Sequence, residues 1–201
     1  MARVKEASRF PAAGPAVPRH GSAVLRVLGR GLLSMIGWRV EGELPDAARC
    51  VAIVAPHTSN WDFLLGMAAL LALDLRVTWL GKHTIFRGPL GRLWRALGGV
   101  PVDRGATDGM VEATAGLFAA GAPVWVGLAP EGTRSKVERW KSGFWRIARA
   151  GSVPILPVAL DYGRRRLRLC ALYEPTADWE ADVLALRRNF SPAMARHPHQ
   201  Y

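Results

Sequence analysis

Hydrophobic and polar residues follow two patterns along this chain, and each predicts its own type of element. Short apolar runs bounded by Gly, Pro or polar residues predict buried strands over residues 51–54, 76–80, 100–102, 124–128 and 153–160. Arg alternates with Leu and Cys over residues 164–172, which predicts a half-exposed strand. Apolar residues at helical spacing predict helices over residues 23–38, 63–73, 90–97, 107–120 and 178–189, with a short one ending near 150.

Strands that alternate with helices in this way predict a single α/β domain with a mixed, largely parallel sheet flanked by helices. Pro154 and Pro157 interrupt the run over residues 153–160. Proline has no N–H to donate to a neighbouring strand, so we expect this strand to be irregular or to lie at an edge of the sheet.

The composition divides the chain into four parts. Residues 1–20 contain three prolines and predict a flexible arm. Residues 21–40 hold an amphipathic helix, residues 41–190 form the α/β domain, and residues 191–201 form a polar tail. In the helix, Arg26 and Arg30 are interleaved with a leucine stripe, a pattern typical of a helix at a membrane interface. Its glycines equally favour close packing on the helix's own domain.

The chain has 201 residues and a net charge of +11, most of it from arginine. This charge favours phosphate, nucleic acid or an anionic membrane as a partner, although arginine-rich sequences also arise from base composition alone. Cys50 and Cys170 lie far apart, which gives neither a disulfide framework nor a zinc motif. The longest strongly apolar run, residues 63–73, is shorter than the ~20 residues that span a bilayer. No signal peptide is apparent, and we expect a cytoplasmic protein.

The turn after the strand over residues 51–54 carries the first candidate chemistry. Thr58, Ser59 and Asn60 all favour helix N-termini, so His57 is expected just before a helix and Asp62 in its first turn. Asp62 could then reach back to one imidazole nitrogen and leave the other free as a base. The alternative is that Asp62 only serves the helix N-terminus electrostatically.

Two further loops at predicted strand ends carry charged side chains. Arg104 follows the strand over residues 100–102, beside Gly105, and its guanidinium suits a phosphate. After the strand over residues 124–128, Glu131 and Arg134 flank Gly132 and Thr133. The carboxylate could accept from a substrate hydroxyl, and the arginine could hold an anion. Ligands of α/β sheets gather where strands end, so we expect these loops to form one site.

Four blocks in this order resemble the glycerolipid acyltransferases, and most of all the 1-acylglycerol-3-phosphate (lysophospholipid) acyltransferases. The blocks are His57-x-x-x-x-Asp62, then Val102-Asp103-Arg104, then Pro130 to Ser135, then Val153 to Val158. The resemblance implies that His57 is the general base and Asp62 its orienting partner. It also implies that Arg104 and Arg134 bind the acceptor phosphate, that Glu131, Gly132 and Thr133 help position the acceptor, and that the proline block shapes the acyl-donor side.

The expected reaction is direct acyl transfer from an acyl-CoA or acyl-carrier-protein thioester to a lysophospholipid hydroxyl. No G-x-S-x-G motif is present, so we expect no acyl-enzyme, and neither a metal nor a cofactor. Backbone N–H groups of the loop at the helix start are expected to stabilise the oxyanion. Trp61 directly before Asp62, and Ala129 where the family has an aromatic residue, leave open another lysolipid, an amino-lipid or a glycolipid as acceptor.

A non-enzymatic module that binds nucleic acid or an anionic membrane would explain the charge but not the ordered loops. We therefore expect no nucleic-acid partner. Both expected substrates are amphiphiles, and extracting a long chain into water costs ~0.8 kcal/mol per CH₂. We expect peripheral attachment to the cytoplasmic face of the cell membrane, with Arg26 and Arg30 near anionic headgroups and the leucine stripe partly inserted.

Overall fold

A computed structural model of the chain describes residues 10–102 and 107–201. Its strands are β1 (Arg39–Glu41), β2 (Arg49–Ala55), β3 (Val77–Lys82), β4 (Gly99–Val102), β5 (Val124–Leu128), β6 (Ile155–Asp161) and β7 (Arg166–Leu169). Its α-helices are α1 (Ala23–Met35), α2 (Asn60–Ala72), α3 (Gly88–Ala96), α4 (Thr107–Ala119), α5 (Gly143–Ala150) and α6 (Trp179–Arg187). Short 3₁₀ turns cover His83–Phe86, Pro192–Met194 and Pro198–Gln200.

The strands form one sheet in the order β1-β7-β6-β2-β5-β3-β4. The five strands from β6 to β4 are parallel to one another, whereas β7 is antiparallel to β6, and β1 runs with β7. The prediction of a mixed, largely parallel sheet flanked by helices is therefore confirmed. The short strand β1 was missed, because three residues with only Val40 buried carry too weak a pattern.

Successive residues of the central strands point to opposite faces of the sheet, and each face has its own apolar core. Cys50 and Ala52 of β2 face a core that includes Leu33 of α1 and Leu65 of α2. On the other face, Val51 and Ile53 join a core completed by α4, α5 and α6. Both faces are covered, which is why these strands read as nearly continuous apolar runs.

The position of β6 corrects one expectation. This strand is buried throughout and lies inside the sheet, between β2 and β7, rather than at an edge. Pro157 is tolerated because it faces Cys170, where the ladder between β6 and β7 ends. There the Cys170 N–H donates to the Pro157 carbonyl at 2.9 Å, so the missing proline N–H costs one bond at the end of a ladder.

The two terminal segments differ from the sequence-based description in their described parts. Residues 10–20 lie on the domain, with Phe10 and Val17 buried and Arg19 bridged to Leu75, so this stretch is not a free arm. The segment 191–201 folds back onto the strand ends through its two 3₁₀ turns. The apolar side chains in each segment explain the difference, because burying them offsets the cost of ordering the chain. The four-part division itself stays a prediction.

Helix α1 combines the two roles that its sequence left open. Gly29 lies against α2 so closely that an added Cβ would be 2.4 Å from the Ala72 nitrogen, and Leu33 is buried in the core. The opposite side is apolar and exposed, with Val24, Val27, Leu28, Leu32 and Met35 between 48% and 77% accessible. Packing on α2 thus uses one side of the helix and leaves the other free.

Arg26 and Arg30 are not on the exposed apolar side of α1. Arg26 lies 3.8 Å from the Asp74 carboxylate, and Arg30 donates to the Ala72 carbonyl at 3.0 Å. Both guanidinium groups therefore serve the C-terminal end of α2, where the helix dipole favours positive charge. Their expected place near lipid headgroups stays a prediction, because Arg30 is exposed and the Arg26 side chain is 40% exposed. Among the described residues, no helix has the length and apolarity needed to cross a bilayer.

Candidate active site

Three neighbouring strands bring the candidate residues together at their carboxyl ends. Strand β2 lies between β5 and β6 and is parallel to both, so the carboxyl ends of the three strands meet. His57 follows β2, Glu131 follows β5, and Tyr162 follows β6. Residues far apart in the sequence are in this way brought side by side.

The turn after β2 is built by a helix cap. Ser59 is the N-cap of α2, and Asp62, three residues later, completes a capping box. One oxygen of Asp62, Oδ2, accepts from the Thr58 and Ser59 N–H groups, both at 2.7 Å. This carboxylate does serve the helix N-terminus, as the alternative interpretation held.

Asp62 also contacts His57, so the two interpretations of this carboxylate hold together. The distance from His57 Nδ1 to Asp62 Oδ2 is 3.3 Å, with the Asp62 side chain fully buried and the His57 side chain 18% exposed. A contact at Nδ1 leaves Nε2 available to take a proton. The geometry that the spacing predicted is present.

Tyr162 is the site residue that sequence reasoning missed. Its hydroxyl donates to the second oxygen of Asp62, Oδ1, at 2.5 Å. No motif marks this tyrosine, since its partner is a hundred residues away in the chain. The available signal was its place directly after the buried strand β6.

Hydrogen bonding decides the charge state of Asp62. Burial alone would raise its pKa, but the bonds from His57, Tyr162 and the Ser59 N–H outweigh burial and hold the pKa below its usual range. The carboxylate is therefore ionised at neutral pH and can stabilise a positive charge on His57.

Glu131 lies on the other side of His57 and is also buried. Its Oε2 accepts from the His57 backbone N–H at 2.8 Å, whereas Oε1 has no hydrogen-bond partner among the described residues. Burial raises the pKa of Glu131 to about 7; the nearby Asp62 charge adds to this rise, and the His57 N–H opposes it. A buried carboxylate with a free oxygen can accept a hydrogen bond from a substrate hydroxyl.

The segment 191–201 packs against the residues around His57. Arg196 lies over the rings of Trp61 and Tyr162, 5.4 and 5.8 Å from their centroids. The Gln200 amide, oriented as its neighbours require, donates to the Thr58 carbonyl at 2.8 Å and the Arg134 carbonyl at 3.2 Å. The sequence predicts only a polar tail here, because the contacts of this segment are polar and leave no periodic pattern.

The remaining predicted residues have mixed outcomes. Arg104 lies among residues 103–106, outside the described residues, so its phosphate role stays a prediction. Gly132 turns the loop with φ of 67°, and Thr133 accepts from the Ser135 N–H at 3.3 Å. Arg134 is exposed on the same loop. The loop is therefore where it was expected, beside His57.

The expected source of the oxyanion donors is wrong for most of the loop. The N–H groups of Thr58 and Ser59 donate to Asp62, that of His57 donates to Glu131, and that of Trp61 donates to Ser59 Oγ at 3.2 Å. The capping box and Glu131 thus already use these donors. No group of three or more His, Cys, Asp or Glu side chains suited to a metal ion occurs among the residues described.

Comparisons with known proteins match this chain in sequence and in fold. A family model described as "Acyltransferase" matches residues 38–161, more than half of the chain. The 1-acyl-sn-glycerol-3-phosphate acyltransferase of Escherichia coli (strain K12) is 27% identical over an alignment of 170 residues, and the match covers 79% of this chain and 67% of that protein.

One solved structure is similar over most of its length. It is the 1-acyl-sn-glycerophosphate (LPA) acyltransferase PlsC from Thermotoga maritima, with a TM-score of 0.58 and 19% identity. The match covers 83% of this chain and 76% of that one. At this identity, the likeness shows a shared fold.

Proposed function

This chain belongs to the acyltransferase family, and from that premise we propose that it moves a fatty acyl group from a thioester to a lysophospholipid. The proposed acceptor is 1-acylglycerol-3-phosphate, and the product is phosphatidic acid. The donor is an acyl-CoA or an acyl-carrier protein. The relative from Escherichia coli, whose name states this reaction, supports the acceptor.

One observation carries the proposal. The Asp62 carboxylate contacts His57 Nδ1 at 3.3 Å where three strand ends meet, beside a Glu131 oxygen that has no hydrogen-bond partner in the part of the chain that the structure describes. This arrangement supplies a base with an orienting anion, and an acceptor for a hydroxyl, within one site.

The mechanism follows from these positions. His57 Nε2 takes the proton of the acceptor hydroxyl while the hydroxyl oxygen attacks the thioester carbonyl carbon. The tetrahedral intermediate then collapses and the C–S bond breaks. The leaving thiolate takes the proton from the His57 imidazolium, which gives the free thiol and restores the neutral base. Ionised Asp62 stabilises that imidazolium, and Glu131 holds the acceptor in line.

Two arginine side chains are proposed to bind the phosphate of the acceptor. Arg134 is exposed on the loop that carries Glu131, where its guanidinium can reach a phosphate. Arg104 is proposed for the same phosphate on the basis of the family resemblance. Both substrates are amphiphiles, and we propose that the exposed apolar side of α1 lies in the membrane surface while the site works.

The proposal is tested with purified protein, acyl-CoA or acyl-carrier protein as donor, and a panel of acceptors. Free thiol and lipid product are measured together. We expect thiol release to require a lysophospholipid, to be fastest with 1-acylglycerol-3-phosphate, and to yield phosphatidic acid. Turnover only with an amino-lipid, a glycolipid or a lysolipid without a free phosphate monoester would replace the proposed acceptor by one of those lipids.

Replacing Arg104 or Arg134 by Ala should raise the KM for the acceptor much more than the KM for the donor. Lys should restore either position poorly, because an ammonium cannot reproduce the bidentate contact of a guanidinium with phosphate. Arg139→Ala is the control, since Arg139 is an exposed arginine nearby in the same connection. Equal effects on both substrates would show that these residues do not hold the acceptor phosphate.

A further inference from the structure

Asp62 has an uneven set of partners at its two carboxylate oxygens. Oδ2 accepts from the Thr58 and Ser59 N–H groups and contacts His57 Nδ1. Oδ1 has the Tyr162 hydroxyl as the partner that the structure shows. The Tyr162 hydroxyl therefore restricts rotation of the Asp62 carboxylate about its Cβ–Cγ bond.

The tyrosine ring is itself fixed on two sides. Trp38 meets it edge-on, with the ring centroids 5.0 Å apart and an interplanar angle of 84°. The Arg196 guanidinium lies over the ring, 5.8 Å from its centroid. The Tyr162 N–H donates to the Met194 carbonyl at 2.9 Å, which ties the backbone as well. A donor held this firmly can fix the group to which it donates.

We propose that Tyr162 is a positioning residue for acyl transfer, which sets the orientation and the charge of Asp62 and, through Asp62, the basicity of His57. The proposal rests on the proposed function for its catalytic consequence. The hydroxyl withdraws electron density from Asp62 and keeps Oδ2 directed at His57. Without it, Oδ1 would be a buried oxygen lacking a partner among the described residues, and the negative charge of Asp62 would rest more fully on Oδ2, beside the imidazole.

Removing the hydroxyl has a predictable sign at His57. Without the hydrogen bond from Tyr162, more negative charge remains on the oxygen of Asp62 that contacts His57. This charge stabilises the imidazolium more strongly, so the pKa of His57 should rise. Among the described residues, the charged and titratable groups next to the His57 turn include Asp62 on α2, Glu131 after β5, Tyr162 after β6, and Arg196 and His197 on the C-terminal segment. Phenylalanine at position 162 leaves all of these except the hydroxyl in place and keeps the ring for Trp38 and Arg196.

The experiment compares Tyr162→Phe with Tyr173→Phe. Tyr173 makes a bond of the same kind, donating to Asp182 Oδ1 at 2.7 Å, on α6 and away from His57. The His57 imidazole is titrated by NMR in the parent and in both variants, with His57→Ala to assign its signal. Steady-state turnover is measured over the same pH range.

For Tyr162→Phe we expect the His57 titration and the acid limb of the rate profile to move to higher pH together, by about half a unit or more. Turnover at the optimum should fall about tenfold with little change in the acceptor KM, a loss of the size found when a hydrogen-bond partner that orients a metal ligand is removed. Tyr173→Phe should leave both the titration and the profile at the parent values.

Two results would overturn the proposal: an unmoved His57 titration in folded Tyr162→Phe, or an equal shift in Tyr173→Phe. A loss of stability alone, with an unchanged titration, would likewise give Tyr162 a structural role only. The titration needs no substrate, so it tests the inference even if the parent protein transfers no acyl group. Absence of transfer by the parent would instead count against the proposed function.

Discussion

The Asp62 carboxylate belongs to two structures at once, the start of α2 and the contact with His57. The residues that supply its hydrogen bonds make it ionised, and an ionised partner is what a histidine base requires. Function and helix capping are therefore not separable at this position. A change at His57 is the cleaner test, because His57 has no role in the cap.

His57→Ala should lower turnover at least ~10²-fold, the low end for removal of a general base. The half-buried side chain leaves the fold intact, so thermal unfolding should stay close to that of the parent. His20→Ala is the control, since His20 lies near Leu75, just before the start of β3 and so at the end of the strands opposite the site. Release of CoA by His57→Ala at the parent rate would remove the base from the mechanism.

Glu131→Gln should stabilise the protein above neutral pH. The pKa of Glu131 is raised from 4.5 to about 7, so the folded state binds this proton more tightly than the unfolded state does. The parent should therefore lose stability as pH rises from 4.5 to 7 and remain weakened above pH 7. Glutamine removes that loss, worth up to about 3 kcal/mol at pH 8 and close to nothing near pH 4.

Urea unfolding of Glu131→Gln at pH 4.5 and pH 8 measures this difference. Glu138→Gln serves as the control, because it removes the same charge from an exposed position. Activity should fall in Glu131→Gln even as stability rises, if Glu131 accepts from the substrate hydroxyl. Equal stability of parent and variant at both pH values would contradict the raised pKa.

Helix α1 shows what an amphipathic pattern can and cannot predict. Its apolar residues occupy more than one side of the helix, so the pattern fitted both packing and membrane contact. The structure assigns Gly29 and Leu33 to packing and leaves Val24, Val27 and Leu28 exposed. Sequence periodicity could not decide this, because the answer depends on where α2 lies.

Replacing Leu28 and Leu32 together by Asp should abolish flotation of the protein with vesicles. Both side chains are about half exposed, so the change removes apolar surface from the proposed membrane contact without opening the core. Leu184→Asp is the matched control, since Leu184 is 60% exposed on α6, on the other face of the sheet. Flotation of the parent should rise with anionic lipid and weaken in salt, given the net charge of +11. A parent protein that never floats would refute the membrane contact.

The central strands send alternate side chains into the apolar cores on the two faces of the sheet. A change on either face should therefore destabilise the whole domain. Leu33→Ala on the α1 face and Phe144→Ala on the α5 face should each cost about 2–5 kcal/mol, since both side chains are fully buried. Circular dichroism and tryptophan fluorescence should report one coincident urea transition in each variant. Separate transitions for the two faces would show that the cores unfold independently.

Much of this architecture follows from the sequence, because buried parallel strands and the helices between them give strong local patterns. His57, Asp62 and Glu131 were also predictable, because His57 and Glu131 lie in loops directly after such strands and Asp62 lies in the first turn of the following helix. Tyr162 and the contacts of the segment 191–201 were not, because they depend on which strands are neighbours. The interior place of β6 was hidden by Pro157, whose lost bond falls at the end of a ladder.

The close contact at Gly29 has a consequence for how the enzyme would bind lipid substrates at a membrane surface. Leu33 of α1 is buried in the core, and Trp38, three residues after the helix ends, contacts the Tyr162 ring, so α1 is coupled to the active site. On the proposed membrane contact, the height of His57 above the bilayer is then set by rigid distances within the protein. The enzyme would then select acceptors by depth: it would acylate hydroxyls at one level of the headgroup layer and not those that lie higher or lower.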